Sequence, residues 1–207
     1  MVREPPNPFS PQTEMLAAGQ PLFRVYSNRV PSPVSFNPGF GSGGRFHFFG
    51  DPLIPVLYAA ETQIAAVCET ILHEVPKKGG YVEHEDYRTS VMAEIQPASE
   101  LRLASFLGTG LRTLGIGAVN LTDTTSSHYP RTVKWAEAAH AAGFDGVAWM
   151  SGRENSSKAY MFFGDRVSES DLEVSPGGVS RIFASGKDFD WLVDHCAVMK
   201  IDVMPPV

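Results

Sequence analysis

The sequence predicts a mixed α/β (α+β) domain, and three observations support this class. Short segments with the composition of β-strands alternate with helical patterns along the 207 residues. Two of the predicted strands are separated only by the polar loop GRENSS, which is typical of a hairpin. Hydrophobic residues make up 43% of the chain, an ordinary share that is sufficient for a sizeable core at this length.

The first predicted strand, PLFRVYS, spans residues 21–27, and its alternation places Arg24 and Tyr26 on one face. The segment RVPSPVSFNPGFGSGG, at residues 29–44, contains too much proline, glycine and serine to form regular structure. A loop of this length in a compact domain usually carries function or is disordered. The proline-rich residues 1–20 are expected to form a loosely ordered arm ahead of the strand.

The next unit combines a buried strand with a helix. Residues 54–60 (IPVLYAA) are almost entirely apolar and predict the strand. Residues 61–75 (ETQIAAVCETILHEV) predict the helix, with Thr62 as its N-cap. Its apolar stripe recurs at i, i+3, i+4, i+7 and i+8, namely at Ile64, Val67, Cys68, Ile71 and Leu72. Glu69 lies beside this stripe, which places it at the rim of a core or a cleft.

The second half of the chain predicts a further strand and an alanine-rich helix. Residues 90–97 (SVMAEIQP) have strand character. Residues 129–146 (YPRTVKWAEAAHAAGFDG) predict the helix, with Pro130 near its first turn and Gly143 at its C-terminus. The predicted hairpin follows, with GVAWMS and KAYMFFG as its strands, and a last helix is expected around DFDWLVDHCAV.

Charge and composition argue against several classes of protein. The formal net charge of −6 disfavours a broad nucleic-acid surface, so no direct contact with nucleic acid is expected. We find neither an apolar run long enough for a membrane span nor the apolar core of a signal peptide, and therefore expect a cytoplasmic protein. Cys68 and Cys196 are too far apart for a disulfide framework, and the six histidines are scattered, so no metal site is expected.

Four side chains combine into a candidate site when they are considered together. They lie on the first strand, after the glycine loop, on the second strand and on the first helix, in the order Arg24, Arg45, Tyr58 and Glu69. Each alone has an ordinary structural explanation, such as an ion-pair partner or a core residue. An arginine, however, is always charged and offers a planar fork of donors that fits phosphate oxygens.

Neighbouring residues supply the other features of a nucleotide site. Glycines allow backbone N–H groups to approach an anion closely, and the rings of Phe46 and Phe48 can stack on a base or a nicotinamide. The carboxylate of Glu69 can hydrogen-bond ribose hydroxyls and stabilise positive charge developing at the anomeric carbon. The combination predicts cleavage of the N-glycosidic bond of a nucleotide without a metal ion.

Four segments of the chain resemble the RES domain family. They are LFRVYS, GSGGRFH, VLYAAETQIAAVCETILHE and GFDGVAWMSGREN with the following YMFFGDRV, and they span residues 20–167. The family is the toxin half of RES–Xre toxin–antitoxin pairs. The resemblance implies an ADP-ribosyltransferase-like fold, with a small mixed or antiparallel β core flanked by helices. It divides the chain into an N-terminal arm at 1–20, a RES domain at 21–167 and a C-terminal extension at 168–207 packed on the same domain.

The same resemblance implies a reaction and partners. RES proteins degrade NAD by phosphorolysis or hydrolysis of the nicotinamide–ribose bond. NAD is therefore the expected substrate, phosphate is a candidate co-substrate, and no cofactor is expected. The expected protein partner is a cognate Xre-type antitoxin, and the resemblance leaves a homo-oligomer open.

Carried over residue by residue, the resemblance assigns catalytic roles to Arg45, Tyr58, Glu69 and Ser151. It assigns NAD contacts to five further residues: Arg24, Gly44, Phe46, His47 and Thr132. In the implied mechanism the two arginines hold the diphosphate, Tyr58 and Phe46 pack on nicotinamide or its ribose, and Glu69 supports the transition state. Ser151 or Thr132 positions the acceptor, and Ser127 is a further alternative for the family serine.

Three alternatives differ in chemistry. An ADP-ribosyltransferase that modifies a protein or a nucleotide would share the fold and the first chemical step. A non-catalytic ligand-binding or protein-binding domain would use Glu69 only structurally. A Cys–His hydrolase is disfavoured because Cys68 falls on the apolar stripe and the adjacent His195 and Cys196 point apart on a helix.

Overall fold

The structure, a computed structural model, describes residues 2–206. Within this range five α-helices form: α1 (Gln63–Cys68), α2 (His84–Tyr87), α3 (Gly108–Thr113), α4 (Tyr129–Ala141) and α5 (Gly186–Val198). The same range contains eleven β-strands: β1 (Thr13–Leu16), β2 (Leu22–Ser27), β3 (Val56–Ala60), β4 (Gly80–Val82), β5 (Ser90–Pro97), β6 (Leu101–Phe106), β7 (Gly146–Met150), β8 (Lys158–Phe163), β9 (Leu172–Val174), β10 (Ser180–Ile182) and β11 (Ile201–Val203).

The main sheet has nine strands and is mostly antiparallel. Eight strands follow the order β1-β6-β7-β8-β3-β2-β5-β10, and β9 also pairs with β5. Strands β6 and β7 are parallel neighbours, and a separate parallel pair joins β4 to β11. The predicted mixed α/β class is confirmed, but the sheet is larger than the small β core that we expected.

Short strands account for the difference in size. β1, β9 and β10 have only three or four residues each. A run of this length carries too little alternation for its period to be recognised in the sequence. These strands form because longer neighbours offer unpaired backbone groups, which is a property of the assembled sheet.

The N-terminal segment is ordered by contacts with the rest of the domain. β1 pairs with β6 in antiparallel register, and the indole Nε1 of Trp135 donates a hydrogen bond to the carbonyl of Arg3 at 2.9 Å. The ring of Phe9 packs edge-on against Trp135, with centroids 6.3 Å apart. The loosely ordered arm expected at residues 1–20 is therefore not what the structure contains, although residue 1 lies outside the described residues.

Several predicted elements are confirmed. The strand expected at 90–97 is β5, the alanine-rich helix is α4, and the last helix is α5. The predicted hairpin is the antiparallel pair β7–β8, in which Gly146 lies opposite Phe162. In the described part of the chain, no helix combines the length and the apolar character that crossing a membrane requires.

The first helix, α1, begins where the sequence predicts and ends early. The side chain of Thr62 accepts a hydrogen bond from the backbone N–H of Ala65, as expected for an N-cap. The helix stops at its C-cap Glu69 and continues as turns. The guanidinium of Arg153 donates hydrogen bonds to two carbonyls of these turns, those of His73 and Val75. This distant arginine satisfies carbonyls that a continuing helix would otherwise have used.

The C-terminal part of the chain packs against α1. Leu192 and Cys196 of α5 are fully buried in the same apolar cluster as Ala65 and Val67 of α1. β11 then pairs with β4, which lies shortly after the turns that follow α1. Residues of the C-terminal extension thus help to fix the helix that ends at Glu69. Residue 207 lies outside the described range.

Candidate active site

A large cleft opens where two strands of the main sheet separate. β2 and β3 share one residue pair, Phe23 opposite Ala60. Beyond this pair, four consecutive residues of β2, Arg24–Ser27, line a cleft of about 1470 Å³ together with Val56 and Tyr58 of β3. Successive strand residues point to opposite faces, so β2 presents its edge to the cleft. The geometry indicates that the cleft lies between the separated strands.

The four residues of the predicted site surround this cleft. Its lining includes Arg24 from β2, Arg45 from the glycine loop, Tyr58 from β3 and Glu69 from the end of α1. Gly44 and His47 line it as well. The chain therefore brings the four predicted residues together in one cleft, although their catalytic roles stay predictions.

Glu69 is held in place by Ser151. The hydroxyl of Ser151 donates a hydrogen bond to Oε1 of Glu69 at 2.7 Å, and the backbone N–H of Ser151 donates to the carbonyl of Ser157 at 3.0 Å. Ser151 is fully buried and does not line the cleft. The expectation that it touches the acceptor directly is corrected, because its side chain contacts Glu69 and does not reach the cleft.

Arg45 lies against Tyr129 and reaches a second loop. Its Nη1 donates to the carbonyl of Thr124 at 3.1 Å and to the hydroxyl of the same residue at 2.8 Å. Its guanidinium carbon lies 5.3 Å from the ring centroid of Tyr129, which is a cation–π contact. Within residues 2–206, neither Arg45 nor Glu69 forms an ion pair. Both charges are therefore available to a ligand.

Thr132 supports the loop that carries Arg45. Its hydroxyl donates to the carbonyl of Arg45 and lies 3.2 Å from the carbonyl of Tyr129. Thr132 is fully buried and is absent from the cleft lining. Direct contact of Thr132 with NAD or the acceptor, which the sequence suggested, is therefore wrong. Ser127, the other alternative, is exposed and hydrogen-bonds with Thr125.

His47 and Tyr58 form a neutral pair in the wall of the cleft. Nδ1 of His47 lies 2.7 Å from the Tyr58 hydroxyl. Burial lowers the pKa of His47 to about 4 and raises the pKa of Tyr58, so both rings are uncharged at neutral pH. Gly44 makes room for this arrangement, since a Cβ there would lie 2.3 Å from Cε1 of His47.

Phe46 is a core residue rather than a ligand contact. It is fully buried and packs on Phe106 and Trp149, with centroids 5.5 and 5.1 Å apart. Its ring is not part of the cleft lining, so the expectation that it packs on nicotinamide is corrected. Phe48, the other aromatic suggested for stacking, does line the cleft.

Arg24 uses some of its hydrogen-bond donors to contact the long loop that lines the cleft. Its guanidinium donates to the carbonyls of Pro33 and Ser35 at 2.5 and 2.8 Å. Burial lowers its pKa to about 10, so it stays charged at neutral pH. A guanidinium has five N–H donors, and the remaining ones leave a contact with an anion open.

Several residues of the site were missed in the sequence. Tyr129 hydrogen-bonds with Nε2 of His73 at 2.8 Å, and Nδ1 of His73 bonds with Glu74 at 2.7 Å. These three residues, with Arg45 and Glu69, also line a second cavity of about 410 Å³. The sequence offered no signal for the contact between Tyr129 and His73, because the two residues are 56 positions apart.

The two cysteines do not contribute a nucleophile. Cys68 and Cys196 are both buried. Burial raises the pKa of Cys68 to about 12 and that of Cys196 to about 11. A buried thiol with a raised pKa carries almost no thiolate at neutral pH, which argues against a Cys–His hydrolase.

Comparison with known proteins identifies a structural likeness and a family. A chain of the crystal structure of the M. tuberculosis MbcT–MbcA toxin–antitoxin complex is similar to this protein, with a TM-score of 0.49 and 12% sequence identity. The alignment covers 80% of this chain and 86% of that chain. No curated protein matches the sequence.

The family comparison covers most of the chain. The model described as the RES domain matches residues 21–183. The match begins at the first residue of the predicted domain and continues beyond residue 167, through β9 and β10. The chain belongs to the RES domain family.

Proposed function

We propose that this protein is the toxin of a toxin–antitoxin pair and that it degrades NAD by breaking the nicotinamide–ribose bond. The observation that carries the proposal is that Arg45 and Glu69 line the same cleft. Neither side chain forms an ion pair within residues 2–206. Membership of the RES family supports it, because the family resemblance implies NAD degradation.

The arginines would hold the diphosphate of NAD. Arg45 has donors left beyond its contacts with Thr124 and can form a bidentate contact with phosphate oxygens. Arg24 contributes positive charge and its remaining donors while it fixes the loop over the cleft. This division makes Arg45 the stronger anion contact of the two.

Glu69 would act at the bond that breaks. Nicotinamide is cationic in NAD, so the electron pair of the N-glycosidic bond leaves with it and produces neutral nicotinamide. Positive charge then develops on the ribose, and the nearby carboxylate stabilises it. Oε1 of Glu69 accepts from Ser151, and Oε2 has no hydrogen bond within the described part of the chain, which leaves it for a ribose hydroxyl.

The reaction is completed by water or phosphate at the anomeric carbon. Water would yield ADP-ribose and a proton, and phosphate would yield ADP-ribose 1″-phosphate. Ser151 and Thr132 are buried, so the acceptor would approach through the open cleft without their direct help. The same first step in an ADP-ribosyltransferase would pass the ADP-ribose to a macromolecule.

The proposal is tested by incubating the purified protein with NAD, with and without phosphate, and identifying the products by mass spectrometry. Release of nicotinamide together with ADP-ribose or its phosphate is the expected result. A modified protein or nucleotide instead of these products would establish the transferase. Absence of nicotinamide release under every condition would leave a non-catalytic binding domain. Co-purification with a neighbouring Xre-type protein, and loss of turnover in that complex, would test the toxin–antitoxin pairing.

A further inference from the structure

One aromatic side chain that lines the cleft is largely exposed. Phe40 is 78% exposed and lines the large cleft. Tyr81, another exposed aromatic, is 62% exposed and lies on β4, outside the lining of the cleft. Single exposed apolar residues are common on protein surfaces, but a ring that lines a cleft offers its apolar face to whatever binds there. The position of Phe40 therefore points to a ligand with an apolar face.

The backbone that carries Phe40 is fixed. The side-chain oxygen of Asn37 accepts hydrogen bonds from the N–H groups of Gly39 and Phe40 at 3.1 and 2.7 Å. The side-chain amide of Asn37 donates to the carbonyl of Phe40 at 3.0 Å. The backbone of Asn37 in turn exchanges two hydrogen bonds with Val56 of β3. Phe40 is thus presented on a turn anchored to the main sheet.

The turn that carries Phe40 and the carboxylate of the site are anchored near opposite ends of β3. Asn37 pairs with Val56, the first residue of β3. Glu69 bonds with Ser151, which pairs with Ser157, and Ser157 accepts a hydrogen bond from Thr62, beyond the last residue of β3. Six residues separate positions 56 and 62, which corresponds to about 20 Å of extended chain. The same cleft is therefore lined by the exposed ring, from the turn anchored at the start of β3, and by the acid, from the helix that follows β3.

Arg24 adds positive charge to the same cleft. Arg24 is on β2, next to the Phe23–Ala60 pair, and its guanidinium bonds with the loop that leads to Asn37. A dinucleotide presents a matching set of groups, since its diphosphate joins a reacting nucleoside to a second base. We propose that Phe40 is the platform on which the adenine ring of NAD stacks. This inference rests on the proposed function, and it adds the residue that distinguishes a dinucleotide from its nicotinamide half.

Substrate truncation tests the proposal. Nicotinamide release is measured with NAD and with nicotinamide mononucleotide, which lacks the adenosine half. F40A should lower kcat/KM for NAD about tenfold, as expected for a lost base–aromatic stack, and should leave the mononucleotide unchanged. F40W should restore the preference for NAD. Y81A is the matched control, because it removes an exposed aromatic that does not line the cleft, and should affect neither substrate.

Titration with AMP measures the platform without catalysis. The wild type should bind AMP, and F40A should weaken this binding about tenfold. Turnover of NAD that Phe40 substitutions do not alter, or an equal loss with both substrates, would overturn the inference while the proposed reaction stands. AMP binding that depends on Phe40 without any nicotinamide release would uphold the platform and remove the proposed reaction. Unchanged AMP binding in F40A would show that the ring faces something other than adenine.

Discussion

The hydroxyl of Ser151 donates a hydrogen bond to the carboxylate of Glu69 at 2.7 Å, although the two residues are 82 positions apart. Ser151 follows strand β7, and Glu69 ends helix α1. One carboxylate oxygen is fixed by this bond, and the other has no partner in the described chain. The bond therefore sets the direction in which Glu69 can act.

Replacement of the serine tests this positioning role. S151A should lower kcat about 10- to 100-fold, because a hydrogen bond to a charged group contributes about 1.5–3 kcal/mol. KM for NAD should change little, since Ser151 does not line the cleft. Steady-state kinetics with NAD measures both parameters. S175A is a matched control, because the hydroxyl of Ser175 is buried without a partner, and equal losses in both variants would argue against positioning.

Replacement of the acid itself should be more severe. E69Q keeps the shape of the side chain and can still accept the bond from Ser151, but it removes the negative charge. Turnover should fall about 10²- to 10³-fold, while the Kd for NAD changes little. E100Q is the control, because Glu100 is an exposed glutamate that does not line the cleft. Single-turnover kinetics and calorimetric titration distinguish the two effects, and full activity of E69Q would contradict the mechanism.

Arg45 should act mainly in binding. R45A should weaken NAD binding about 10- to 100-fold, because a charge-assisted contact with the diphosphate is lost. R45K should recover only part of this affinity, since lysine keeps the charge but loses the planar contact with Tyr129. Titration of each variant with NAD gives the result. R112A, an exposed arginine outside the cleft, is the control, and unchanged affinity in R45A would remove the assigned role.

The sequence predicted the elements of the site better than the contacts within it. The helical stripe placed Glu69 at a rim, and it remains there although the helix ends early. Helices and strands allow such a prediction because their regular periodicity determines which side chains share a face. The segment around residues 43–45 forms neither helix nor strand, so its residues follow no regular alternation of faces. The sequence therefore could not show that Phe46 enters the core while His47 lines the cleft.

Contacts between segments that are far apart in the chain could not be predicted from a single sequence. Arg45 bonds with Thr124, which is 79 positions away, and Thr132 bonds with the Arg45 carbonyl from helix α4. The family resemblance identified Ser151 without its partner, and the structure supplies the partner. Residues that contact the site from a distant element of the chain can be identified only in the folded structure.

Acid should destabilise the fold through His47. Its pKa is about 4 in the folded protein because of burial, compared with about 6.5 in an unfolded chain. Between these values the unfolded state binds more protons, so the free energy of unfolding decreases as the pH falls from about 6.5 to about 4. The contribution is at most about 3 kcal/mol. Denaturant unfolding at several pH values measures it.

H47N is the control for the dependence of the free energy of unfolding on pH. H47N can keep a hydrogen bond with the Tyr58 hydroxyl, which lies 2.7 Å from Nδ1 of His47, and it cannot titrate. The slope of stability against pH in the acid range should therefore be shallower in H47N than in the wild type. Parallel slopes in the two proteins would show that other groups cause the acid sensitivity.

The C-terminal helix should stabilise the site from a distance. Leu192 of α5 is fully buried against the core of α1, so L192A should lower the free energy of unfolding by about 2–5 kcal/mol. V198A changes an 82% exposed residue of the same helix and should stay within about 0.5 kcal/mol of the wild type. Thermal and denaturant unfolding measure both. Because α1 ends at Glu69, L192A should also reduce kcat at temperatures where the protein is still folded, whereas V198A should not. A loss of stability with an unchanged kcat would mean that α5 supports the fold without positioning the carboxylate.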